Sequence, residues 1–403
     1  MKILIVTQYF YPENFKSNDL AFELVKRGYE VDALVGIPNY PEGKIYKGYG
    51  FFRKRREVIN GVNVFRAFQI PRGHGIMRLM INYVSYVLSA CFDVLVHYIW
   101  QKKYDAVIVH EVSPIFQAYP AMLLKKITGA PIYLWILDIW PDAMMSGGGV
   151  RNVKWLSFIN KLVIGIYNNC DKLLISSKRF SANILTKGNF KDRLVYFPNW
   201  SDDLKLDKVS SAIPQLPEGF IVMLAGNLGK SQNLDAVVQA ILLLKNVREL
   251  KWVFICDGSE KCWLDDFIKK HNLFDTTFTL GRFSSEMMPS FYKKAGAMLL
   301  TLRGGFPHLG MVVPARLQSY MSAGKPVLAM IGDGGADIIK EANCGYAVPA
   351  GDYRSLAEII INKVLPNKDE FEKMGANGRL YFEREFTKSH CINRLIEVIS
   401  SKK

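Results

Sequence analysis

The chain has 403 residues, of which 49% are hydrophobic; this length exceeds one ordinary core and suits two domains. Lys and Arg number 52 against 37 Asp and Glu, and the net charge of +15 favours an acidic partner such as a nucleotide, a nucleic acid or an anionic membrane. The sequence lacks an RNA-binding aromatic signature, zinc-ligand spacing and a helix-turn-helix pattern, so nucleic acid is disfavoured as the partner.

Strands alternate with helices in the first half of the chain. Apolar runs predict strands at residues 2–7, 30–35, 62–68, 104–109, 131–137, 172–176 and 194–197. The first run has no cleavage-site pattern behind it, which favours a strand over a signal peptide. Ser17 or Asn18 can cap a helix that ends at Arg27, before Gly28, and further helices are predicted at residues 113–127 and 154–169. This alternation predicts a doubly wound sheet.

Residues 79–100 form an apolar segment about as long as a membrane span. Asn82, Asp93 and His97 interrupt it, and a central Asp would be costly in lipid. Basic residues flank it at Arg72, Arg78, Lys102 and Lys103. A spanning helix is one interpretation; we favour a long helix that packs on the sheet and leans one side on a membrane surface. The basic run at residues 53–56 is read as a solvated face or a contact for anionic headgroups.

The second half repeats the pattern after a linker predicted at residues 202–219, where prolines and polar residues cluster. Strands are predicted at residues 220–224, 251–256, 276–280, 297–302 and 326–330. Helices are predicted at residues 234–245, 261–271, 285–294 and 314–323, and a glycine turn at residues 332–335. A last helix, residues 388–400, is placed to return to the first domain. The predicted domains are therefore residues 1–201 and 202–387, followed by residues 388–403.

Cysteine usage indicates the cellular compartment. The six cysteines are scattered, and none forms a C-x-x-C pair. This pattern is typical of reduced thiols in the cytoplasm and does not suit a disulfide framework.

The stretch at residues 225–234, AGNLGKSQNL, predicts an anion site between a strand and a helix. Gly226 and Gly229 let the backbone approach a ligand closely, and the following helix points its free N–H groups at the loop. Lys230 adds a full charge where a phosphate would sit. The alternative is an ordinary strand–helix turn, because short glycine motifs often occur by accident.

Ligands bind beyond the carboxyl ends of the strands in such sheets, and polar residues follow several predicted strands. They are Glu13, His110, Glu111, Asp138, Asp257 with Gly258, and Gly281 with Arg282. Two facing edges would make a cleft between domains, and carboxylates opposite a phosphate loop suit group transfer from a nucleotide. Structural roles are the alternative: Asp138 could brace the turn after it, and His110 and Glu111 could be satisfied interior groups.

Eight motifs, taken in order, resemble those of the retaining glycosyltransferases of family 4. The closer likeness is to the WbuB-type fucosamine transferases and the colanic-acid fucosyltransferase group. The motifs are YPE at 11–13, PNYP at 38–41, DIWPD at 138–142, FPNWS at 197–201, GNLGKSQ at 226–232, VPARL at 313–317, GKPV at 324–327 and GDGGA at 332–336. They cover nearly the whole chain. The resemblance implies an α/β protein of GT-B type, with two Rossmann-like doubly wound domains facing across a cleft.

The resemblance also implies that the second domain holds a nucleotide-sugar. The diphosphate would meet residues of the glycine loop and one helix, and Arg282 would border the base. The implied diphosphate residues are Gly229, Lys230 and Arg316, and Gly226 and Asn227 are further residues expected to bind the donor. Their charges would steady the leaving phosphate as its bond to the sugar breaks, so neither a metal nor a cofactor beyond the sugar donor is expected.

The first domain, by the same resemblance, would hold the acceptor. Glu13 and His110 are the expected acceptor-binding residues. Asp138 would lie near the reacting sugar and orient the acceptor hydroxyl or take up its proton, with Glu111 as a second catalytic candidate. Retention in such enzymes is usually drawn as attack from the same face, so a base on the opposite face is not required.

Three positions depart from the family pattern. Family 4 often carries two Glu, separated by seven residues, where this chain has Met311 and Ser319. Neither side chain binds a hydroxyl as a carboxylate does, although the WbuB-like group also tends to lack the pair. The loop after Glu13 lacks the usual glycines, and Leu137 stands where many relatives have His.

The resemblance therefore implies a cytoplasmic hexosyltransferase, peripheral at the inner face of the cell membrane. It would move a sugar such as N-acetyl-fucosamine or a related hexosamine from a UDP-linked donor to a lipid-linked glycan, in capsule or O-antigen (lipopolysaccharide) biosynthesis. Its partners would be the nucleotide-sugar, the lipid-linked acceptor and the membrane surface, and not nucleic acid. Two alternatives stay open: a UDP-sugar 2-epimerase of similar fold, and a non-enzymatic basic adaptor for membrane or nucleic acid.

Overall fold

The chain folds as two units, each with its own sheet. The computed structural model describes residues 1–73, 75–98, 103–147, 152–204, 206, 213–305 and 307–401. Contacts divide the chain into unit 1, Met1–Phe197 with Ile392–Lys403, and unit 2, Pro198–Cys391. The predicted boundary after residue 201 lies too late, because Asn199 and Ser201 bond within unit 2. Gln318 Nε2 donates to Asn199 O (2.8 Å), and Ser201 Oγ lies 3.0 Å from Ser319 Oγ.

Unit 1 contains an eight-stranded sheet in the order β3-β4-β2-β1-β5-β6-β7-β8. The strands are β1 (Lys2–Thr7), β2 (Glu30–Val35), β3 (Arg56–Ile59), β4 (Val62–Arg66), β5 (Ala106–Glu111), β6 (Ile132–Ile136), β7 (Lys172–Ile175) and β8 (Leu194–Tyr196). Every pair is parallel except β3 with β4. The central strands β1, β5 and β6 are almost entirely buried, as their unbroken apolar runs predict. The predicted doubly wound sheet is confirmed.

The antiparallel strand β3 was not expected from the sequence. It pairs with β4 through a tight turn at Asn60 and Gly61, whose φ angles are +48° and +82°. Two adjacent positive φ angles favour Asn-Gly, which is the common signal for a two-residue hairpin. The predicted strand at residues 62–68 ends at Arg66, and the Asn-Gly pair just before it was the overlooked signal.

The helices of unit 1 cover the sheet. They are α1 (Lys16–Lys26), α2 (Ile76–Asp93), α3 (Tyr119–Thr128), α4 (Ala143–Gly147), α5 (Val153–Asn169) and α6 (Phe180–Leu185). Helix α2 continues as a π-helical turn, Val94–Tyr98, and the last residues of the predicted helix at 79–100 lie outside the described residues. The expected cap of α1 is wrong: Ser17 Oγ donates to Tyr9 O, and Asn18 bonds to Tyr11 N and Glu13 O, so both side chains hold the preceding loop.

Unit 2 contains a six-stranded parallel sheet in the order β11-β10-β9-β12-β13-β14. Its strands are β9 (Phe220–Asn227), β10 (Leu250–Asp257), β11 (Thr277–Thr279), β12 (Ala297–Thr301), β13 (Val327–Met330) and β14 (Gly345–Val348). Its helices are α7 (Leu234–Leu243), α8 (Lys261–Lys270), α9 (Met288–Lys294), α10 (Pro307–Met311), α11 (Ala315–Ser322), α12 (Asp333–Ala342), α13 (Tyr353–Ile359), α14 (Lys368–Glu385) and α15 (Lys388–Ser400). The end of α15, from Ile392, belongs to unit 1, where Arg394 lies over the Tyr196 ring.

The glycine turn predicted at residues 332–335 is instead the start of helix α12. Glycines occur there because two backbones meet: a β-carbon on Gly334 would lie 2.2 Å from Met311 O, and one on Gly332 would lie 2.3 Å from Gly310 Cα. The glycines therefore reflect close packing inside unit 2 and not a bend between elements.

Candidate functional site

The glycine loop of unit 2 begins three residues later than the sequence predicts, because strand β9 ends at Asn227 and not at residue 224. Strand β9 continues through Gly226 and Asn227, which pair with the end of β10. Leu228 N donates to Asp257 O (2.7 Å), and Glu260 N donates to Leu228 O (3.1 Å), so the loop is bound to the loop that follows β10. These bonds fix the two strand ends next to each other.

Arg316 is placed against this loop by helix α11. A β-carbon on Gly226, whose φ is +119°, would lie 3.0 Å from Arg316 Nε and 3.1 Å from Nη2. Nη2 also donates to Asn227 O, which fixes one end of the guanidinium. The remaining N–H groups of this planar fork stand at the edge of the sheet, where they can reach an anion.

A cavity of about 460 Å³ opens beside Gly226. It is lined by Gly226, Asn227, Ile255, Cys256, Asp257, Gly258, Arg282, Phe283 and Met288. Gly258 has a φ of +135°, and a β-carbon there would lie 2.3 Å from Leu228 O, so glycine is required where the two loops touch. The structure thus brings Gly226, Asn227 and Arg282 together around one space.

Gly229 and Lys230 border this space without lining it. Gly229 N donates to Gln232 Oε1 (2.8 Å), so this N–H is already used inside the loop. Lys230 is exposed and has no ion-pair partner among the residues that the structure describes. Its ammonium is therefore available to a ligand, whereas the Gly229 N–H is not.

In unit 1, Asp138 stands at the carboxyl end of the sheet, just after β6. Ser113 Oγ donates to Asp138 Oδ2 (2.6 Å), and Trp140 Nε1 donates to Ser113 Oγ (3.0 Å). Burial raises the pKa of Asp138, and the Ser113 hydrogen bond acts against that rise. Ser113 has a φ of +81°, a backbone conformation that costs a residue with a β-carbon roughly 1–3 kcal/mol. The backbone conformation of Ser113 is therefore unfavourable at the residue that donates to the Asp138 carboxylate.

Glu111 lies beneath Asp138 and is fully buried. Its Oε2 accepts from Leu137 N (3.3 Å) and Asp138 N (3.4 Å), while Oε1 has no partner among the described residues. Burial, followed by the charge of Asp138, raises the pKa of Glu111 well above its usual range. Glu111 therefore holds the backbone of Asp138 and does not reach the surface, which makes it a positioning residue in place of the catalytic one expected.

His110 is also interior, with 1% of its surface exposed. Its ring lies 4.8 Å from the Trp135 ring, and Thr7 Oγ1 lies 3.5 Å from Nδ1. Burial lowers the pKa of His110 to about 3, so the imidazole is neutral at physiological pH. The expected contact between His110 and an acceptor would require movement of the surrounding core.

Glu13 joins two loops at the same edge of the sheet. Its Oε1 accepts from Asn39 N (2.7 Å) and Tyr40 N (2.6 Å), and its Oε2 accepts from Phe10 N (3.3 Å). Burial raises the pKa of Glu13 to about 7, and the three N–H donors act in the opposite direction. Both carboxylate oxygens of Glu13 accept hydrogen bonds from backbone N–H groups. Glu13 therefore fixes the loops at this edge of the sheet, and its carboxylate is not directed at an acceptor.

Two residues that were not predicted from the sequence as site residues lie at this edge of the unit 1 sheet. Tyr40 is exposed, and Arg72 lies over its ring, 4.9 Å from the centroid. Arg72 N donates to Asn39 Oδ1, which fixes the Arg72 backbone beside the Glu13 loop. A cation and an aromatic face together can hold a phosphorylated or sugar-like ligand. The PNYP motif was the available signal for Tyr40; nothing in the sequence tied it to Arg72.

The arrangement offers several cations to an anionic ligand. Among the described residues, no group of three or more His, Cys, Asp or Glu side chains could hold a metal ion. Unit 2 presents Arg316, Lys230 and Arg282 around the end of β9, and unit 1 presents the carboxylate of Asp138. Such cations can stabilise a phosphate that leaves, and such a carboxylate can take a proton from a hydroxyl.

Two family models match the chain, one in each half. The glycosyl transferase 4-like domain matches residues 17–200, and the glycosyl transferases group 1 model matches residues 208–381. Both halves of the chain are therefore similar to glycosyl transferase domains.

Curated relatives are named accordingly. WcaI of Escherichia coli strain K12, provisionally named a colanic acid biosynthesis glycosyl transferase, is 24% identical over 340 residues, which cover 80% of this chain and 82% of WcaI. WbjE of Pseudomonas aeruginosa, also provisionally named a glycosyltransferase, is 27% identical over 268 residues, 63% of this chain and 65% of WbjE. The fucosamine subgroup itself is not established by these matches.

Solved structures share the fold. Sucrose-phosphate synthase from Thermosynechococcus elongatus has a TM-score of 0.72 at 14% identity, covering 100% of this chain and 98% of the other. Anabaena HepE, solved in complex with UDP, has a TM-score of 0.69 at 14% identity, covering 100% of both chains. Both are GT-B structures, so the expected GT-B fold class is confirmed.

Proposed function

We propose that this chain, with its glycosyl transferase 4-like domain followed by a group 1 domain, transfers a hexosamine from a UDP-linked donor to a lipid-linked glycan. The sugar class is that of the fucosamine and fucosyl transferases that the motifs resemble, and the reaction retains the anomeric configuration. The product is a surface polysaccharide such as capsule or O-antigen. The guanidinium of Arg316 beside Gly226 and the cavity is the observation that carries this proposal.

The donor diphosphate binds at the end of β9. Arg316 is fixed at one end by Asn227 O, so its other N–H groups meet the phosphate with little loss of side-chain freedom. Lys230 and the N-terminus of α7 add positive charge. These groups stabilise the charge that develops on the leaving UDP, which a metal would otherwise do. The base lies in the cavity beside Arg282 and Phe283, and the UDP complex of HepE supports uridine as the nucleoside.

Asp257 is the residue that we propose for the ribose. Ser319 and Met311 stand where the family often has Glu, and Ser319 Oγ lies against Ser201 Oγ instead. Asp257 is the one carboxylate that lines the described cavity, and its Oδ1 accepts from Gly258 N (2.8 Å). Its second oxygen is left to accept from a hydroxyl, as acidic residues do for ribose in other nucleotide sites.

The acceptor binds at the edge of unit 1. Asp138 accepts the proton of the acceptor hydroxyl, directly or after the donor bond has weakened, in keeping with attack from the same face. Arg72 and Tyr40 hold the phosphate-linked end of the acceptor. The protein works in the cytoplasm, at the inner face of the membrane, where a lipid-linked glycan grows.

Thermal stabilisation tests the donor half of this proposal. A ligand that binds only the folded state raises the melting temperature with its concentration and affinity. UDP should shift the melting temperature, whereas GDP and ADP should not. Arg316→Gln should abolish the shift, and Arg248→Gln, on an exposed loop of the same unit, should keep it.

Product analysis tests the reaction itself. Donor alone should remain unchanged, and donor with a lipid-linked acceptor should release UDP and lengthen the glycan. An epimer formed from donor alone would identify an epimerase, and equal shifts by all three nucleotides in wild type and Arg316→Gln would refute the site.

A further inference from the structure

Helix α2 of unit 1 exposes an apolar face, whereas an ordinary surface helix exposes its polar side. Its inward face carries Asn82, Tyr86 and Asp93, each hydrogen-bonded within unit 1. Its outward face is apolar over its whole length and exposed at Met77, Ile81, Val84, Leu88, Phe92 and Leu95. Spacings of three and four residues put these side chains on one stripe. A stripe of this length on a helix surface indicates a partner that covers it.

The stripe lies along the edge of the sheet where the acceptor is proposed to bind. Asn82 Oδ1 accepts from Gln8, just after β1, and Tyr86 OH donates to Leu34 O near the end of β2. Asp93 pairs with Arg55 (3.2 Å), just before β3, at the level of the last residues of β4. Helix α2 therefore crosses the carboxyl ends of β1, β2 and β4, with its apolar stripe turned outward.

Basic residues frame the C-terminal end of the stripe. Arg53, Lys54 and Arg56 are exposed, and Phe52 beside them is 95% exposed. Next to Phe92, a cavity of about 290 Å³ is lined by Arg55, Arg56, Phe65, Arg66, Asp93 and His97. Arg55 is paired with Asp93 and Arg66 with Glu57. The guanidinium of Arg56 lies over the Phe65 ring and forms no ion pair among the described residues, although its charge also acts on Asp93. An exposed aromatic beside unpaired cations is complementary to an anionic lipid surface.

We propose that the outward face of α2, with the basic segment at residues 53–56, lies on an anionic bilayer in the plane of its headgroups. The stripe enters the boundary between headgroups and acyl chains, and Arg53, Lys54 and Arg56 meet lipid phosphates. This inference deepens the proposed function, since it names the surface from which a lipid-linked acceptor reaches unit 1. Its evidence is independent of the nucleotide site.

The helix lies on the membrane and does not cross it. The stretch Ile76–His97, 22 residues, is long and apolar enough to span a bilayer by length and composition. Spanning would require Asn82, Tyr86 and Asp93 to leave their partners and enter lipid, where unpaired polar groups are strongly disfavoured. Lying flat keeps all three bonds and buries only the outward stripe.

Helix α5 of unit 1 carries a second exposed apolar patch. Helix α3 contacts both α2 and α5, and the first turns of α5 expose Val153, Trp155 and Phe158. Trp is the side chain that most favours the water–lipid boundary, because its ring is amphipathic. Unit 1 therefore exposes large apolar side chains on α5 as well as on α2.

Vesicle co-sedimentation of the full chain tests the proposal. Wild type should bind vesicles of phosphatidylcholine mixed with anionic phosphatidylglycerol, and binding should weaken with salt. The double variant Leu88→Gln/Phe92→Gln should lose about tenfold or more in vesicle affinity, since each large apolar side chain contributes strongly when buried. Arg53→Gln/Arg56→Gln should reduce binding to anionic vesicles only.

Matched controls make each outcome decisive. Leu380 on α14 of unit 2 is 65% exposed, like Leu88 at 66%, and Leu380→Gln should leave vesicle binding unchanged. All variants should keep the wild-type melting temperature and its shift with UDP. Undiminished vesicle binding in the Leu88→Gln/Phe92→Gln variant would overturn the proposal. So would a wild-type dimer that this variant converts to monomer, because a second copy would then cover the stripe. Vesicle binding without any UDP shift would refute the proposed function and leave this inference standing.

Discussion

The guanidinium of Arg316 rests against the bare α-carbon of Gly226, so close that a β-carbon there would stand 3.0 Å from Nε. The two residues lie 90 positions apart, on α11 and at the end of β9 (316 − 226). Among the described residues, Arg316 Nη2 donates to Asn227 O, and both Gly226 and Asn227 line the cavity. A side chain at position 226 would therefore require the Arg316 guanidinium to shift, in addition to the cost of the positive φ angle.

Gly226→Ala should weaken UDP binding by about tenfold or more, because the new methyl group displaces Arg316 from the proposed phosphate position. The positive φ should add a stability loss of roughly 1–2 kcal/mol. Titration calorimetry with UDP measures the first effect and thermal unfolding the second.

Gly28→Ala supplies the control for Gly226→Ala. Gly28 has a φ of +85° with nothing within 4 Å of its β-carbon position, so its substitution adds backbone strain alone. We expect a similar loss of stability with unchanged UDP affinity. Equal UDP affinity in Gly226→Ala and wild type would show that the contact with Arg316 is not what places the phosphate.

Ser113→Ala should move the acidic limb of the pH–rate profile to higher pH. Ser113 donates to Asp138 Oδ2 and so favours the carboxylate, against burial, which raises the pKa of Asp138. Without the donor the pKa rises further, and a reaction that needs the carboxylate then requires a higher pH. Initial rates over pH at saturating donor measure the shift. Asp138→Asn should lose about 100-fold or more in rate while it keeps UDP affinity; an unshifted profile in Ser113→Ala would remove Asp138 from the role of proton acceptor.

Glu111→Gln should make stability less dependent on pH. The folded-state pKa of Glu111 is raised, so the folded state binds a proton that the unfolded chain releases above about pH 4.3. The stability that this proton provides is present at low pH and is lost as pH rises from that value through the folded-state pKa. Gln keeps an oxygen for Leu137 N and Asp138 N and cannot ionise. Its melting temperature should therefore exceed that of wild type increasingly toward pH 8.

The exposed residue Glu42 provides the control for Glu111→Gln. Glu42→Gln should keep a melting temperature close to that of wild type, since substitutions at exposed positions usually change stability little. If Glu111→Gln were least stable relative to wild type at high pH, Glu111 would have to be charged in the folded protein, and its positioning role would need a different basis.

The repeating order of strands and helices was readable from the sequence because buried parallel strands are unbroken apolar runs. The glycine loop and the chain position of Asp138 at the carboxyl end of a strand were readable for the same reason. The roles of Glu13, His110 and Glu111 were not, since a polar residue at the end of a strand can point out to a ligand or down into the protein. All three are buried. Glu13 bonds to Asn39 and Tyr40, His110 lies against Thr7 and Trp135, and Glu111 bonds to Leu137 and Asp138, all more than 20 positions away in the sequence.

Helix α2 shows a second limit of pattern reading. The spacing of its apolar residues predicts a helix but does not show which face packs on the protein. The contacts of Asn82 and Asp93 within unit 1 show that the exposed face is apolar. In an isolated sequence the same spacing is typical of a helix that packs its apolar side on a sheet. The interruptions that argued against a membrane span are therefore the contacts that attach the helix to the protein.

Asp257→Ala should weaken UDP binding through the ribose alone. If Asp257 Oδ2 accepts from a ribose hydroxyl, removing either the carboxylate or the hydroxyl removes the same hydrogen bond. The affinity for the nucleotide should then fall by about tenfold, as expected for a hydrogen bond to a charged group. Wild type should therefore bind 2′-deoxy-UDP or 3′-deoxy-UDP more weakly than UDP. Asp257→Ala should bind UDP and that deoxy analogue equally, because the interaction is already absent. If Asp257→Ala still binds UDP more tightly than both analogues, another residue of the cavity must bind the ribose. If the variant and the analogue lose the same affinity, Asp257 binds the ribose hydroxyl in place of the carboxylates missing at Met311 and Ser319.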